Sequence, residues 1–138
     1  NLLDLNINTE LLFNKEITTK DIELNNLIKE AKDRFYIPSD QKIALEKLWD
    51  AFERIKTYFE SNKKKSSEKL VLIISEGFDK EIISNEFKLL TSIGNTFRIR
   101  HHETDKKELG DEKHITYLFF RLLSLIDLAT NKINENEN

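Results

Sequence analysis

Between residues 18 and 133, apolar side chains recur every three or four positions in stretches separated by short polar breaks. That is the period of amphipathic helices, not the strict alternation of half-buried strands. Behind Thr18, Thr19 and Asp21, the residues Ile22, Leu27, Ile28, Ala31 and Phe35 fall on one side and predict a helix ending near Pro38. A second, clearer helix follows, in which Ser39 or Asp40 is placed to cap the free N–H groups of the first turn. Its apolar stripe is Leu45, Leu48, Phe52, Ile55 and Phe59, with Lys42, Glu46, Asp50, Glu53 and Lys56 mostly elsewhere. The same spacing would serve a coiled-coil seam, but so few turns lie between Pro38 and the lysines that packing within a bundle is favoured.

The stretch SNKKKSSEK at 61–69 reads as a polar break, with Ser66 or Ser67 starting the next element. Leu70 to Ile74 is β-branched enough for a strand by propensity, yet its helical neighbours favour a short buried helix. Gly77 closes it, and Asp79 offers a cap for a helix carrying Ile83, Phe87, Leu90, Ile93 and Phe97 on one stripe. Gly110 and Asp111 mark a last start. Beyond them Ile115, Leu118, Leu122, Ile126, Ala129 and Ile133 follow one face, widened by Phe119 and Leu123. The terminal NENEN is expected to fray. With 3 Gly and 1 Pro there is too little turn chemistry for an all-β protein. The fold class that follows is all-α: one helical bundle of about five helices over residues 1–138.

Charge sharpens this only locally. Lys and Arg total 22 against 25 acids, a formal net charge of -3, so no global positive field draws the chain to nucleic acid or anionic lipid. Lys63, Lys64 and Lys65 are the one obvious basic patch, most often the mark of a solvated turn. The absence of cysteine removes disulfide and thiolate–metal chemistry and agrees with a cytoplasmic setting. The longest apolar run, Leu70 to Ile74, is too short for a bilayer, and NLLDLNINTE lacks the features of a signal peptide, so a protein with no membrane segment is expected. A chain that begins at Asn1 and contains no Met reads as part of a longer protein, with a further domain or protein as a partner.

The candidate chemistry lies in IGNTFRIRHHETDKKELGDEKH, residues 93–114, which holds all 3 histidines. Asp105, Lys106, Lys107 and Glu108 need no explanation beyond a solvated connection. Arg98, Arg100, His101, His102 and Glu103 combine a group that titrates near neutrality with forked donors suited to phosphate. A metal site is disfavoured, because adjacent histidines rarely face one ion and the remaining ligand would be Glu103 or the distant His114. A structural account pairs Arg100 with Glu103 across a turn and lets His102 cap a helix end. No GxSxG elbow, phosphate-cradling glycine loop or HExxH occurs.

ALEKLWDAFERIKTY at 44–58, KKKSSEKL, LTSIGNTFRIRHHETDK and YLFFRLLSLI at 117–126, taken in order, resemble the C-terminal region of uncharacterised bacterial proteins associated with abortive phage infection. The resemblance covers roughly residues 40 to 130. More distantly the chain is similar to the HEPN superfamily of helical bundles, many of them metal-independent ribonucleases of toxin and phage-defence systems. The HEPN pattern of Arg, a polar residue and then His places Asn95 at the polar position, Phe97 at an apolar one and His101 at the histidine. Its arginine position falls on Gly94, so Arg98 or Arg100 would act from a shifted place.

What the resemblance implies is attack of an RNA 2′-hydroxyl on the adjacent phosphorus, without cofactor or metal. His101 or His102 would handle the proton, and Arg98 or Arg100 the charge growing on the phosphoryl oxygens. Asn95, Glu103, Lys63, Lys64 and Lys65 would contact the RNA, and the site would form across a homodimer. The rival expectation is a non-catalytic helical module for oligomerisation or partner binding. A small-ligand sensor between helices is a third reading, with no specific residue behind it.

Overall fold

The computed structural model describes residues 10–138. The opening residues read above for a signal peptide lie, apart from Glu10, outside them. Five α-helices follow a helical turn at 10–14: α1 (Ile22–Phe35), α2 (Gln41–Ile55), α3 (Lys63–Ser75), α4 (Lys80–Thr96) and α5 (Glu112–Glu137). A 3₁₀ turn, Pro38–Asp40, joins α1 to α2. The described residues contain no strand, only one backbone bridge between Phe97 and Lys107. No helix among them is long and apolar enough to cross a membrane. The expected all-α bundle is what forms.

α2 and α5 make the centre. Leu45, Leu48, Trp49, Phe52 and Ile55 from α2 are buried against α1 on one side and α5 on another. From α5, Leu118, Phe119, Leu122, Ile126 and Ile133 complete the core. α3 packs on α5, and α4 lies on α3, reaching α2 through Phe87 and Phe52, whose ring centres are 5.6 Å apart. Burying such side chains contributes about 1.5–3 kcal/mol each, the main source of the fold's stability.

Helix starts follow side-chain capping. Asp21 accepts from the Leu24 N–H at 3.2 Å, Asp79 from Ile82 at 3.0 Å and Asp111 from Lys113 at 2.8 Å. Four expectations change. Ile22 is 73% exposed, because the buried stripe of α1 runs through Leu24, Ile28 and Ala31 on the opposite side. Asp40 stands at the cap position of α2 without a side-chain bond to the helix and lies 3.6 Å from Arg34 instead.

α3 begins at Lys63, capped by Asn62, which accepts from the Lys65 N–H at 3.1 Å. Ser66 is therefore inside the helix and buried, its hydroxyl accepting from the Phe59 N–H at 3.1 Å. Helix α5 continues to Glu137 without the expected fraying. The Tyr58 hydroxyl donates to the Glu137 carboxylate at 2.8 Å, and Lys20 lies 3.5 Å from that carboxylate. Burial and this acceptor push the Tyr58 hydroxyl up to about 12. Gly77, at φ 80°, supplies the left-handed residue that ends α3, as expected.

Candidate functional site

The polar interval is an ordered loop between α4 and α5. Phe97 ends α4, and the backbone then closes on itself: the Arg98 N–H donates to the Lys107 carbonyl at 2.6 Å and the Lys107 N–H to the Thr96 carbonyl at 3.1 Å. Lys106 donates to the Gly94 carbonyl at 3.0 Å, satisfying an acceptor left open at the end of α4, and also to Glu103. With Lys106 beside it, the Glu103 carboxyl is held below the usual carboxylate range. Residues 105–108 are thus more than the solvated link expected from sequence. Lys106 caps a helix, Lys107 forms the bridge and Glu108 binds Arg98. Asp105 alone keeps the simple exposed role.

Ile99 is buried and anchors the segment, sending its neighbouring arginines to different partners. Arg98 donates through Nη1 to Glu108 at 2.7 Å and through Nε to the His101 carbonyl at 2.8 Å. Arg100 reaches Asp50 of α2 at 2.9 Å. The expected Arg100–Glu103 contact is made by the Arg100 backbone N–H, at 3.3 Å, and not by its guanidinium. His101 is 83% exposed in its side chain, with Nδ1 3.4 Å from Glu46. His102 is exposed, its ring centre 6.1 Å from that of His101. His114 lies exposed in the first turn of α5. Among the described residues no group of three His, Asp or Glu is placed to hold a metal ion.

Sequence reasoning missed the partner surface. Glu46, Asp50 and Glu53 lie four and three residues apart, hence on one face of α2, about 6 Å and about 4.5 Å along its axis. They receive His101, Arg100, and the pair Lys56 and Lys63 respectively, the last at 2.9 and 2.5 Å. The i, i+4, i+7 spacing of these acids was visible in the sequence. What they would face was not, since His101, Arg100 and Lys63 lie on other segments and only Lys56, three residues from Glu53, is a neighbour along the chain.

Two open clefts result. The first, of 670 Å³, brings Arg98 and His101 together with Arg34, Lys42 and Lys47, against the acids Glu46 and Glu108. The second, of 990 Å³, runs between α3 and α4 and brings together Lys63, Lys64 and Asn95. No residue lines both. Of the residues singled out from sequence, Lys65, Arg100, His102 and Glu103 line neither, so the expected set divides between two places.

Gly94 explains the position where the HEPN arginine was wanted. It is buried on α4, and a Cβ built on it would stand 2.5 Å from Nε1 of Trp49. The indole is itself 1% exposed, so it would have to shift within the core to admit a side chain. Packing therefore opposes a side chain at residue 94. The class defined by fold and geometry is an all-α bundle in which, among the described residues, cations line both the cleft at the α4–α5 loop and the one between α3 and α4. In comparisons with known proteins no family model, no curated protein and no solved structure matches the chain.

Proposed function

We propose that this chain is a HEPN-like RNA-binding domain of a bacterial phage-defence protein of the abortive-infection kind, acting as a dimer and cleaving RNA without a metal. The observation that carries the reading is the first cleft, where an exposed imidazole and a guanidinium share one opening with three further cations. An RNA phosphate entering there competes with Glu108 for Nη1 of Arg98, a single charge-assisted contact that a phosphate can replace in kind. His101 then accepts the proton of the 2′-hydroxyl as its oxygen attacks the adjacent phosphorus. The P–O5′ bond breaks and the departing O5′ takes a proton from water, leaving a 2′,3′-cyclic phosphate and a free 5′-hydroxyl. Arg98 neutralises charge on the non-bridging oxygens during the step.

End-labelled RNA incubated with purified protein in chelator tests this. Cyclic-phosphate ends are expected, reduced at least a hundredfold, a typical general-base contribution, in His101→Ala. Arg98→Ala is expected to weaken both binding and cleavage. Intact RNA with the wild-type chain would sink the cleavage reading.

A second reading rests on a specific contact. Arg98 and Arg100 are both committed to acids of the same chain, which suits a non-catalytic module for oligomerisation or partner binding. Light scattering that finds a dimer with no RNA bound at any salt concentration would favour it.

A further inference from the structure

The second cleft, which takes in Lys63, Lys64 and Asn95 of the residues expected to contact RNA, holds a pattern that the cleavage step at Arg98 and His101 does not use. One face of α4 presents Lys80, Ser84, Lys88, Thr91 and Asn95, spaced four, four, three and four residues apart. Facing it, α3 presents Lys63, Lys64 and Ser67, with Val71 and Leu72 further along. Successive polar groups on α4 stand about 4.5–6 Å apart along the axis, and the row from Lys80 to Asn95 extends about 22 Å. Five lysines line this groove, counting Lys56, against one lining carboxylate, Glu68. Lys56 and Lys63 share the Glu53 carboxylate, which leaves Lys64, Lys80 and Lys88 as a local excess of positive charge in a chain of net charge -3.

Lys56 is the built part of the groove. Its side chain is 6% exposed, and Nζ donates to Thr91 at 3.0 Å, pairs with Glu53 at 2.9 Å and sits 4.4 Å from the centre of the Phe52 ring. Burial pulls its ammonium down and Glu53 restores part of the loss. A lysine held in this way is a fixed charge at the wall between α2 and α4. Lys64, Lys80 and Lys88, by contrast, are exposed and make no ion pair among the described residues, so they remain available to a ligand. Val71, Leu72 and Phe87 give the groove an apolar floor.

We propose that the groove between α3 and α4 is a second binding site, for an extended chain bearing regularly spaced phosphate groups. Lysine ammoniums and hydroxyl donors recur at nearly the interval of such phosphates. The length of the row suits several phosphates in sequence better than one. Two sources carry this chemistry, a single-stranded nucleic acid and inorganic polyphosphate. The apolar floor contributes only to the first, through contact with bases. The site stands independently of whether Arg98 and His101 cleave RNA, because the two clefts share no residue.

The test uses the whole chain, a fluorescent 12-nucleotide oligo-dT, which has no 2′-hydroxyl to be cut, and long-chain inorganic polyphosphate as competitor. Anisotropy is measured across a salt series. Lys64→Glu/Lys88→Glu is expected to weaken oligo-dT binding at least tenfold. Neutral replacement of the same pair with Gln should make the log–log salt slope shallower by about 1.4, two phosphate contacts' worth for a single strand. Lys113→Glu, exposed on α5 and lining neither cleft, should change neither by more than twofold. Binding of polyphosphate alone identifies that source, and binding of both identifies the shared phosphate row. Failure of both probes to bind, or equal weakening by Lys113→Glu, overturns the proposal. Should the doubly reversed variant lose its helical circular-dichroism signal, Lys80→Gln/Lys88→Gln serves as the readout, with unchanged affinity counting against the site.

Discussion

At the scale of single residues, Gly94 separates an absence of chemistry from a requirement of packing. The buried Trp49 indole occupies the space that any side chain at residue 94 would need. Gly94→Ala, which would favour an isolated helix by up to about 1 kcal/mol, is therefore expected to destabilise this one by about 1–3 kcal/mol through overpacking. Chemical denaturation of the two proteins reads the sign directly, and a stabilised variant would show that the indole yields. Lys56 gives a matching lesson. Its place in sequence, among the charged residues opposite the apolar stripe of α2, suggested solvent. The structure buries it beside Phe52, with Glu53 and Thr91 satisfying its ammonium. Long cationic side chains hide their stems readily, so position on the polar face alone does not imply exposure.

At the scale of elements, the start of α1 is tied to the end of α2. Asp21 caps α1 and also pairs with Arg54 at 2.8 Å. Burial pushes this carboxyl up, but the bonds from Arg54 and the Leu24 N–H outweigh it and hold it below its usual value. A carboxyl depressed in the folded state contributes stability that is complete above the unfolded value near 4 and is lost as pH falls through the lower folded value. The midpoint of urea unfolding should accordingly decline in that acid window. Asp21→Asn keeps a capping oxygen but not the charge; it should cost up to about 1 kcal/mol at pH 7 and flatten the acid decline. An undiminished decline would assign acid sensitivity to other carboxylates.

Element existence was legible because α1, α4 and α5 carry a long apolar stripe with Asp21, Asp79 or Asp111 at its start, and α2 carries its stripe directly behind Pro38. Helix α3 was legible only in part. Its first two turns, KKKSSEK, hold no apolar residue, and the cap Asn62 sits in front of three lysines where no period yet shows. The candidate site was readable as a set of residue types, not as a place. Arg98 and Arg100 are two positions apart, yet Ile99 between them is the anchor that parts them. The acids that hold them, Glu108 and Asp50, come from a loop and a helix that only tertiary packing brings near.

Across the whole molecule, the two ends of the described chain meet. Glu137 accepts from Tyr58 and faces Lys20, while Lys15 reaches Asp127 at 2.9 Å and Asn131 at 2.7 Å. Lys32, buried with its ammonium pulled down by burial, donates to the carbonyls of Leu12 and Lys15 and fastens the 10–14 turn to α1. Deleting residues 134–138 should therefore cost about 1 kcal/mol, the net worth of a hydrogen bond such as that from Tyr58, where a loose tail would cost nothing. Thermal unfolding of the shortened chain distinguishes the two. The charge of the molecule is likewise uneven: a slightly acidic total coexists with cations gathered at two clefts, and it is the local field that an anionic ligand meets.

The bridge between Phe97 and Lys107 gives residues 98–106 a status of their own. Because the backbone is pinned at both feet, the length and content of what lies between them are uncoupled from the register of α4 and α5. Lengthening a flexible loop is cheap, about 0.6 kcal/mol for each doubling. Around Ile99 and Lys106, which hold the feet in place, and Arg100, which ties the loop to Asp50 of α2, the tip carrying His101 and His102 is thus an exchangeable cassette. Selection can rewrite its chemistry without renegotiating the bundle beneath it.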